Sequence, residues 1–341
     1  MPARDSCTGL RPQAANLRAT LAGELTGRVP RQEMFFNNPR IERHLIGRER
    51  GRDPVATLEL ALALQWGMCW AGSWSIRPGG RNDVASDGTS HYAGGCELTW
   101  AIVEQMAQAE PPPMDQTARN IALFRSEGLL AHVFMLHCFH SAATGIGMER
   151  LCMMVYDQPD LLAEYMRQVE AFNRRGLKAL LDTGVAPDIA VFDADCAFKT
   201  AMMVSPSDYR RLIFEPTKAT CEMLADAGIT ILMHTDGKID NVYPIWLEMG
   251  VAGAHGVEKQ ANDLAEIKRK FGDRMTLFGN FDPVALATDM PENIREQARQ
   301  MVEIGRDGGR YVAAVNTIVG ENVPPENYFA FVEGVEEAAS Y

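Results

Sequence analysis

The sequence predicts an α/β fold, a single-domain (β/α)8 TIM barrel. Three observations carry that prediction. Short apolar runs alternate with amphipathic stretches along the chain, the runs number eight, and strand after strand ends in a histidine, an aspartate or an asparagine. Alternation of this kind is the pattern of parallel β/α units, and eight such units close a barrel.

In chain order, EMFFN (33–37) reads as the first strand and MCWAGSW (68–74) as the second. LLAHVFML (129–136), DIAVFD (188–193), ITILMH (229–234), VAGAHG (251–256), MTLFGN (275–280) and RYVAAVN (310–316) complete the set. The stretch 160–184, DLLAEYMRQVEAFNRRGLKALLDTG, carries apolar residues at three- and four-residue spacing and stops at a glycine, as a helix with one buried face does. SPSDYRRLIFEPTKATCEMLADAG (205–228) opens on Ser-Pro and closes on Gly228. DLAEIKRKFG (263–272) and PENIREQARQMVEIG (291–305) repeat the early cap or proline and the late glycine. An open doubly wound sheet is the alternative, but no GxGxxG turn follows any strand. AEPPPMD (109–115) reads as a break between helices, and the Gly-rich, polar segment 76–96 as a long loop over one barrel mouth. The barrel is expected over residues 16–341, behind a flexible N-terminal tail of residues 1–15.

Composition narrows the function. The net charge of −12 argues against wrapping a phosphate backbone, and no basic–aromatic interleaving suits nucleic acid. Seven dispersed cysteines without a CxxC pair read as reduced thiols, so a cytoplasmic protein is expected. The first fifteen residues lack the apolar core of a signal peptide, and no apolar run is long enough to span a membrane.

In a β/α barrel the catalytic groups project from the C-terminal ends of the strands. Those ends supply Asn37, His137, Asp193 and Asp195, His234 and Asp236, His255 and Glu258, Asn280, and Asn316. Five of the seven histidines (132, 137, 140, 234 and 255) lie within or just beyond these strands, which favours one shared site. His234 and Asp236 alternate along an extended segment and point to the same side. Such a pair can hold a metal or couple a proton carrier to its orienting carboxylate. The plainer alternative makes Asp236 the cap of a helix starting near Ile239, with Gly237 easing the turn. Asp193 and Asp195 repeat the spacing and either bind a cation, with Lys199 available to neutralise one of them, or form a solvated acidic turn. His255 reads as a satisfied barrel residue and Glu258 as a loop charge. No GxSxG elbow, HExxH helix or Gly-rich Lys loop is present.

The segments FDADCAFKTAMMVSPSDYRRLIFEPTKA, ILMHTDGKIDNVYPIWLEMGVAGAH, LAEIKRKFGDRMTLFGNFDP and VPPENYFAFVE together resemble the uroporphyrinogen decarboxylase-like superfamily, as does HSAATGIGMERLCMMVYDQPDLL. The resemblance covers about residues 130–335 and implies a (β/α)8 barrel with its site at the strand C-termini. True uroporphyrinogen decarboxylases carry an N-terminal Arg-Gln-Ala-Gly-Arg segment and a GHG turn after the last strand. Here the corresponding segments read NNPRIERHLIGRERGR and VNTIVGEN. The corrinoid-dependent methyltransferase branch carries His-x-Cys-Gly after the fifth strand and a second cysteine after the eighth, both on zinc. In this chain Asp236 of HTDG stands at the first cysteine position, and Asn316 lies near the second.

The resemblance therefore implies methyl exchange between a small methoxylated or methylated substrate and a separate corrinoid protein, with a homodimer left open. His234 and Asp236 would activate the leaving group while Asp193 and Asp195 shape the site. Asn37, His137, Lys199, Asn280 and Asn316 are the expected substrate contacts. If zinc binds, its ligands would be His234 and Asp236 with Glu258 or one of the two other aspartates. The rival is a decarboxylase of a tetrapyrrole or another carboxylated ring, which needs arginines at the mouth; Arg40, Arg43, Arg48 and Arg77 are the candidates. A third reading is a barrel that binds but has lost the chemistry.

Overall fold

A computed structural model of the chain describes residues 9–79, 81–84 and 90–341. Its strands are β1 (Phe35–Phe36), β2 (Met68–Trp74), β3 (Arg81–Val84), β4 (Ser90–Gly94), β5 (Leu130–Leu136), β6 (Ile189–Asp193), β7 (Thr230–His234), β8 (Gly253–His255), β9 (Thr276–Phe281), β10 (Tyr311–Val315) and β11 (Ile318–Val319). Seven of them form one parallel sheet in the order β10-β9-β8-β7-β6-β5-β2. Helices alternate with these strands, and the whole is one TIM-barrel-like domain.

The predicted strands from β5 to β10 are all present, and so is β2. The first is smaller than expected: only Phe35 and Phe36 form a ladder, and they pair with β11 outside the main sheet. The chain just before them lies beside β10, where the Gln32 N–H donates to the Ala313 carbonyl and the Ala313 N–H to that of Pro30. On its other flank side chains replace the ladder. The Gln32 Oε1 accepts from the N–H groups of Gly67 and Met68, both at 3.0 Å. On the β10 side the buried Glu33 carboxylate also accepts the Val315 N–H at 3.0 Å. The barrel is thus closed at its seam by a short backbone pairing with β10, completed by one amide and one carboxylate.

Two further expectations change. The helix Pro12–Ala22 begins inside the supposed tail, with Leu17 and Leu21 buried, because its apolar residues have a core to enter; residues 1–8 of that tail lie outside the described residues. The segment 76–96 holds an antiparallel hairpin, β3 with β4, rather than a plain loop; Gly80 and residues 85–89 of it lie outside the described residues. The base of the hairpin meets the helix Cys138–Gly145 just beyond β5, with the Cys96 N–H donating to the Gly145 carbonyl. Among the described residues no helix is long and apolar enough to cross a membrane.

Gln32→Leu would strand two buried N–H groups, so unfolding in urea should show a loss of about 2–6 kcal/mol; a loss below about 1 kcal/mol would mean the seam closes some other way. Glu33 gives a pH signature. Burial pushes its pKa from 4.5 up to about 7, against the pull of the Val315 N–H, Arg31 and Tyr328. The protonated form is the one the folded chain favours. Its contribution is therefore complete below about pH 4.5 and is lost as the pH rises through about 7. Glu33→Gln removes that dependence. From about pH 4 to about pH 8 its stability relative to wild type should rise by about 3 kcal/mol, and a flat difference would contradict the assignment.

Candidate active site

The register of the sheet places the chemistry. Asp193, His234 and His255 are lateral partners on β6, β7 and β8, so their side chains leave the same face at one level, into the barrel. Asp195 and Asp236 follow two residues beyond β6 and β7 and meet there: the Asp236 N–H donates to Asp195 Oδ1 at 3.2 Å. The intervening Thr235 fastens the turn, accepting the Cys196 N–H at 3.0 Å and donating to the Asp236 carbonyl. Gly237 has φ +87, and a Cβ there would lie 2.6 Å from the Phe198 carbonyl oxygen. Asp236 caps no helix; the next one runs from Tyr243, and the Ile239 N–H is taken by Asn262.

His234 has a defined tautomer. His255 is fully buried, and its Nε2 lies 3.1 Å from the Val315 carbonyl oxygen, which can only accept. Nε2 therefore carries the hydrogen. Burial, aided by neighbouring His234 and opposed by the Val315 bond, pulls the His255 pKa well below the usual imidazole range, so Nδ1 keeps a lone pair. That lone pair accepts the Nδ1–H of His234 at 2.8 Å. Neutral His234 is left with a bare Nε2, and this atom lies 3.6 Å from Asp195 Oδ1. It can accept a proton or bind a cation, and when protonated it can donate.

The carboxylates differ in character. Burial pushes Asp236 up to about 6; His234 opposes this, Asp195 and Glu258 reinforce it, and the Asn316 amide, donating to Oδ1 at 3.0 Å, opposes it again. Asp193 is held below the usual carboxylate range: burial pulls upward, but the hydrogen bond and charge of His140, 3.0 Å away, outweigh it. His140 answers in kind, its pKa raised by Asp193 and Asp195 against burial and Arg77. The ligand atoms of His140, Asp193 and Asp195 lie within 4.8 Å of one another, and so do those of Asp195, His234 and Asp236. The Asn316 oxygen is buried and unpartnered.

Below this rim the walls are aromatic. Phe35 stacks on Phe134 at 5.3 Å and presents its edge to His234 at 4.9 Å and His255 at 5.7 Å. His132 meets Phe134 from the side, and burial holds its pKa down at about 3. Thiolates play no part in the cluster. Cys196 is nearest, but it is buried against Thr235, and burial pushes its thiol up to about 12.

Of the residues expected in one site, Asp193, Asp195, His234, Asp236 and Asn316 come together. Others do not. His137 is fully buried; its Nδ1 caps the helix Cys138–Gly145 and its Nε2 meets Thr217, so the substrate role is withdrawn. Asn280 lines a separate cavity with Asn262, Gln297 and Met301. Asn37 stands exposed past β1, its N–H bound to Val319. Lys199, mostly exposed, binds Gln260 and lies 3.9 Å from Glu258 rather than at Asp193 or Asp195. Glu258 is not grouped with His234 and Asp236 as a ligand; its carboxylate accepts the Gly237 N–H at 2.9 Å, and Asp195 takes the third place. Sequence reasoning counted His140 among the strand-end histidines without giving it a role, and read His255 as a satisfied barrel residue with no orienting one; His140 sits on the helix after its strand. The concentration of histidines was the available signal for both.

Gly256 governs the approach of β8 to this turn. With φ +98, its Cβ would fall 2.2 Å from the Thr235 carbonyl oxygen and 3.1 Å from His234 Nδ1. Gly256→Ala should cost about 2–4 kcal/mol on unfolding and shift the His234 ring resonances. A variant matching wild type in both would mean that this contact is loose.

Comparison with known proteins gives a consistent assignment. The family model for uroporphyrinogen decarboxylase matches residues 103–338. Among curated relatives, the uroporphyrinogen decarboxylase of Aliivibrio salmonicida is 35% identical over 97 residues, 27% of this chain and 27% of that protein. That of Coxiella burnetii is 25% identical over 191 residues, covering 54% of this chain and 49% of the relative. The chain thus spans about half the length of the second relative and less of the first. Among solved structures, a methyltransferase from Methanosarcina mazei superposes with a TM-score of 0.70 at 17% identity, covering 95% of this chain and 98% of that one. That likeness concerns the fold. By the extent of the family match, the chain belongs to the uroporphyrinogen decarboxylase family.

Proposed function

We propose that the protein is a methyltransferase that moves a methyl group from a small methoxylated or methylated substrate to a corrinoid carried by a separate protein. The observation that carries this reading is the bare Nε2 of His234 set beside Asp195 and Asp236 over an aromatic wall. Demethylation of an aryl methyl ether breaks the O–CH3 bond and returns the oxygen as a hydroxyl, so one proton must be delivered as the methyl leaves. The corrinoid supplies the nucleophilic cobalt(I). Everything else falls to this chain, and its task is the departing oxygen, where negative charge develops.

Two arrangements of the same residues meet that need. Protonated His234 donates from Nε2, with Asp195 stabilising the charged ring, and Asp236, held near 6 by burial, serves as a second proton holder. Alternatively a zinc ion fits the same atoms: the lone pair of Nε2, the Asp195 and Asp236 carboxylates, and the unpartnered Asn316 oxygen nearby. Such an ion would supply Lewis acidity toward the leaving oxygen. Either way Phe35 and Phe134 offer a flat apolar wall suited to an aromatic ring.

Among the described residues the mouth does not gather the cations that the decarboxylase reading needs. Arg43 pairs with Glu49, Arg48 with Glu59 and Asp53, and Arg40 is exposed, which leaves Arg77, whose charge acts on His140. The test combines the protein with cob(I)alamin and a methoxylated arene and follows the corrinoid spectrum. Wild type should methylate the corrinoid, and His234→Ala should slow this by about 10²–10⁴-fold with unchanged circular dichroism. Normal turnover by the variant would remove His234 from the mechanism. Decarboxylation of uroporphyrinogen without corrinoid would replace the proposal with its rival.

A further inference from the structure

Asp195 stands between two groups of potential ligands and offers a different oxygen to each. Oδ1 faces His234 Nε2 at 3.6 Å, in the group that includes Asp236. Oδ2 faces His140 Nδ1 at 3.9 Å, and that nitrogen lies 3.0 Å from Asp193 Oδ1. Metal–ligand bonds of about 2.0–2.2 Å in a tetrahedral shell keep adjacent donors about 3.4 Å apart. The spacing of 3.6 Å in the first group lies close to that value, and those of 3.0 and 3.9 Å in the second lie on either side of it. A carboxylate that gives one oxygen to each of two ions bridges them, and biological two-metal sites hold their ions about 3.5–4 Å apart.

We propose that the site holds two divalent cations bridged by Asp195, one on His234 and Asp236 and the other on His140 and Asp193. The inference rests on the metal-binding form of the reading above and extends it to a second ion that His140 makes possible.

Charge and unsatisfied valence argue the same way. Asp193, Asp195 and Asp236 converge with two imidazoles, and Glu258 lies close enough to push the Asp236 pKa upward. Lys199 is drawn off to Gln260 and Glu258, and Arg77 is exposed. His140 is paired with Asp193, whereas Asp195 and Asp236 stand side by side and disfavour each other's charge unless a cation intervenes. Two divalent ions would leave the cluster slightly positive, matched to a departing phenolate or alkoxide. Asn316 supplies the independent sign: its amide is pinned to Asp236 by Nδ2, while its oxygen, a hard donor, is buried with no partner.

The measurement is metal stoichiometry in the full-length protein. Chelator-stripped protein is titrated with Co(II), followed by visible absorption and by elemental analysis after desalting. Wild type should bind two ions per chain. His140→Gln and Asp193→Asn should each retain one, His234→Gln should retain the other, and Asp195→Ala should retain neither at the concentration that saturates wild type. With Mn(II), wild type should give the electron paramagnetic resonance spectrum of an exchange-coupled pair, and the one-ion variants should not. All variants are first compared by circular dichroism in chelator, and the paired variants on His140 and Asp193 guard against one misfolding.

One ion or none in wild type overturns the proposal, as do two ions undisturbed by both His140→Gln and Asp193→Asn. The two readings fail separately. A single ion with active methyl transfer to cob(I)alamin refutes the bridged pair alone, and two ions without methyl transfer refute the methyltransferase alone.

Discussion

The backbone of Val315 is the point on which the site depends. Its N–H is held by the buried Glu33 carboxylate from the seam, and its carbonyl accepts from His255 Nε2. The seam lacks a complete ladder, so without Glu33 this end of β10 would meet the first segment with an unpaired N–H. Because a carbonyl can only accept, the same residue dictates where His255 keeps its hydrogen, and His255 then dictates where His234 keeps its own. Closure of the barrel and the protonation pattern of the site thus meet at one residue, Val315.

Much of the fold was legible because the strands from β5 onward are buried on both faces and read as apolar runs, while the helices carry their period plainly. The seam was not legible. Gln32 and Glu33 are polar residues next to a short apolar run, and nothing local says that an amide and a carboxylate can take the place of a strand neighbour. The helix from Pro12 was missed for a related reason: its apolar residues are sparse, and only the barrel they pack against shows that they are core. At the site, the alternation of Asp193 with Asp195 and of His234 with Asp236 was readable because an extended chain has a period of two. His137 and His140 show the limit. Three residues apart across a strand-to-helix turn, they have opposite fates, and the turn geometry that separates them is absent from the sequence.

A carboxylate rather than a thiolate at position 236 would have a chemical consequence for an ion held there. Thiolates are soft donors suited to soft or borderline ions, whereas carboxylate and amide oxygens are hard. Thiolates pass charge to a bound ion and so weaken its pull on a substrate oxygen, while a shell of imidazole and carboxylate leaves it a stronger Lewis acid. A shell of that kind suits the activation of an ether or amine leaving group better than the holding of a thiol nucleophile. The buried, protonated state of Cys196 removes the one neighbouring thiol that could have made up the difference.

The same reasoning explains why His140 and His234 are fixed so differently. His234 is fixed from behind by a neutral imidazole, which sets its tautomer without adding charge and leaves Nε2 facing the reaction space. His140 is fixed from the front by Asp193, so its ring nitrogen is already engaged with a carboxylate. A residue that must exchange protons or ligands during turnover needs the first arrangement, since its working atom has to be free. One that anchors charge at the edge of the site needs the second. Asp195 lies 3.6 Å from His234 and 3.9 Å from His140, so under the proposed function the balance between a working histidine and an anchoring one would pass through a single carboxylate.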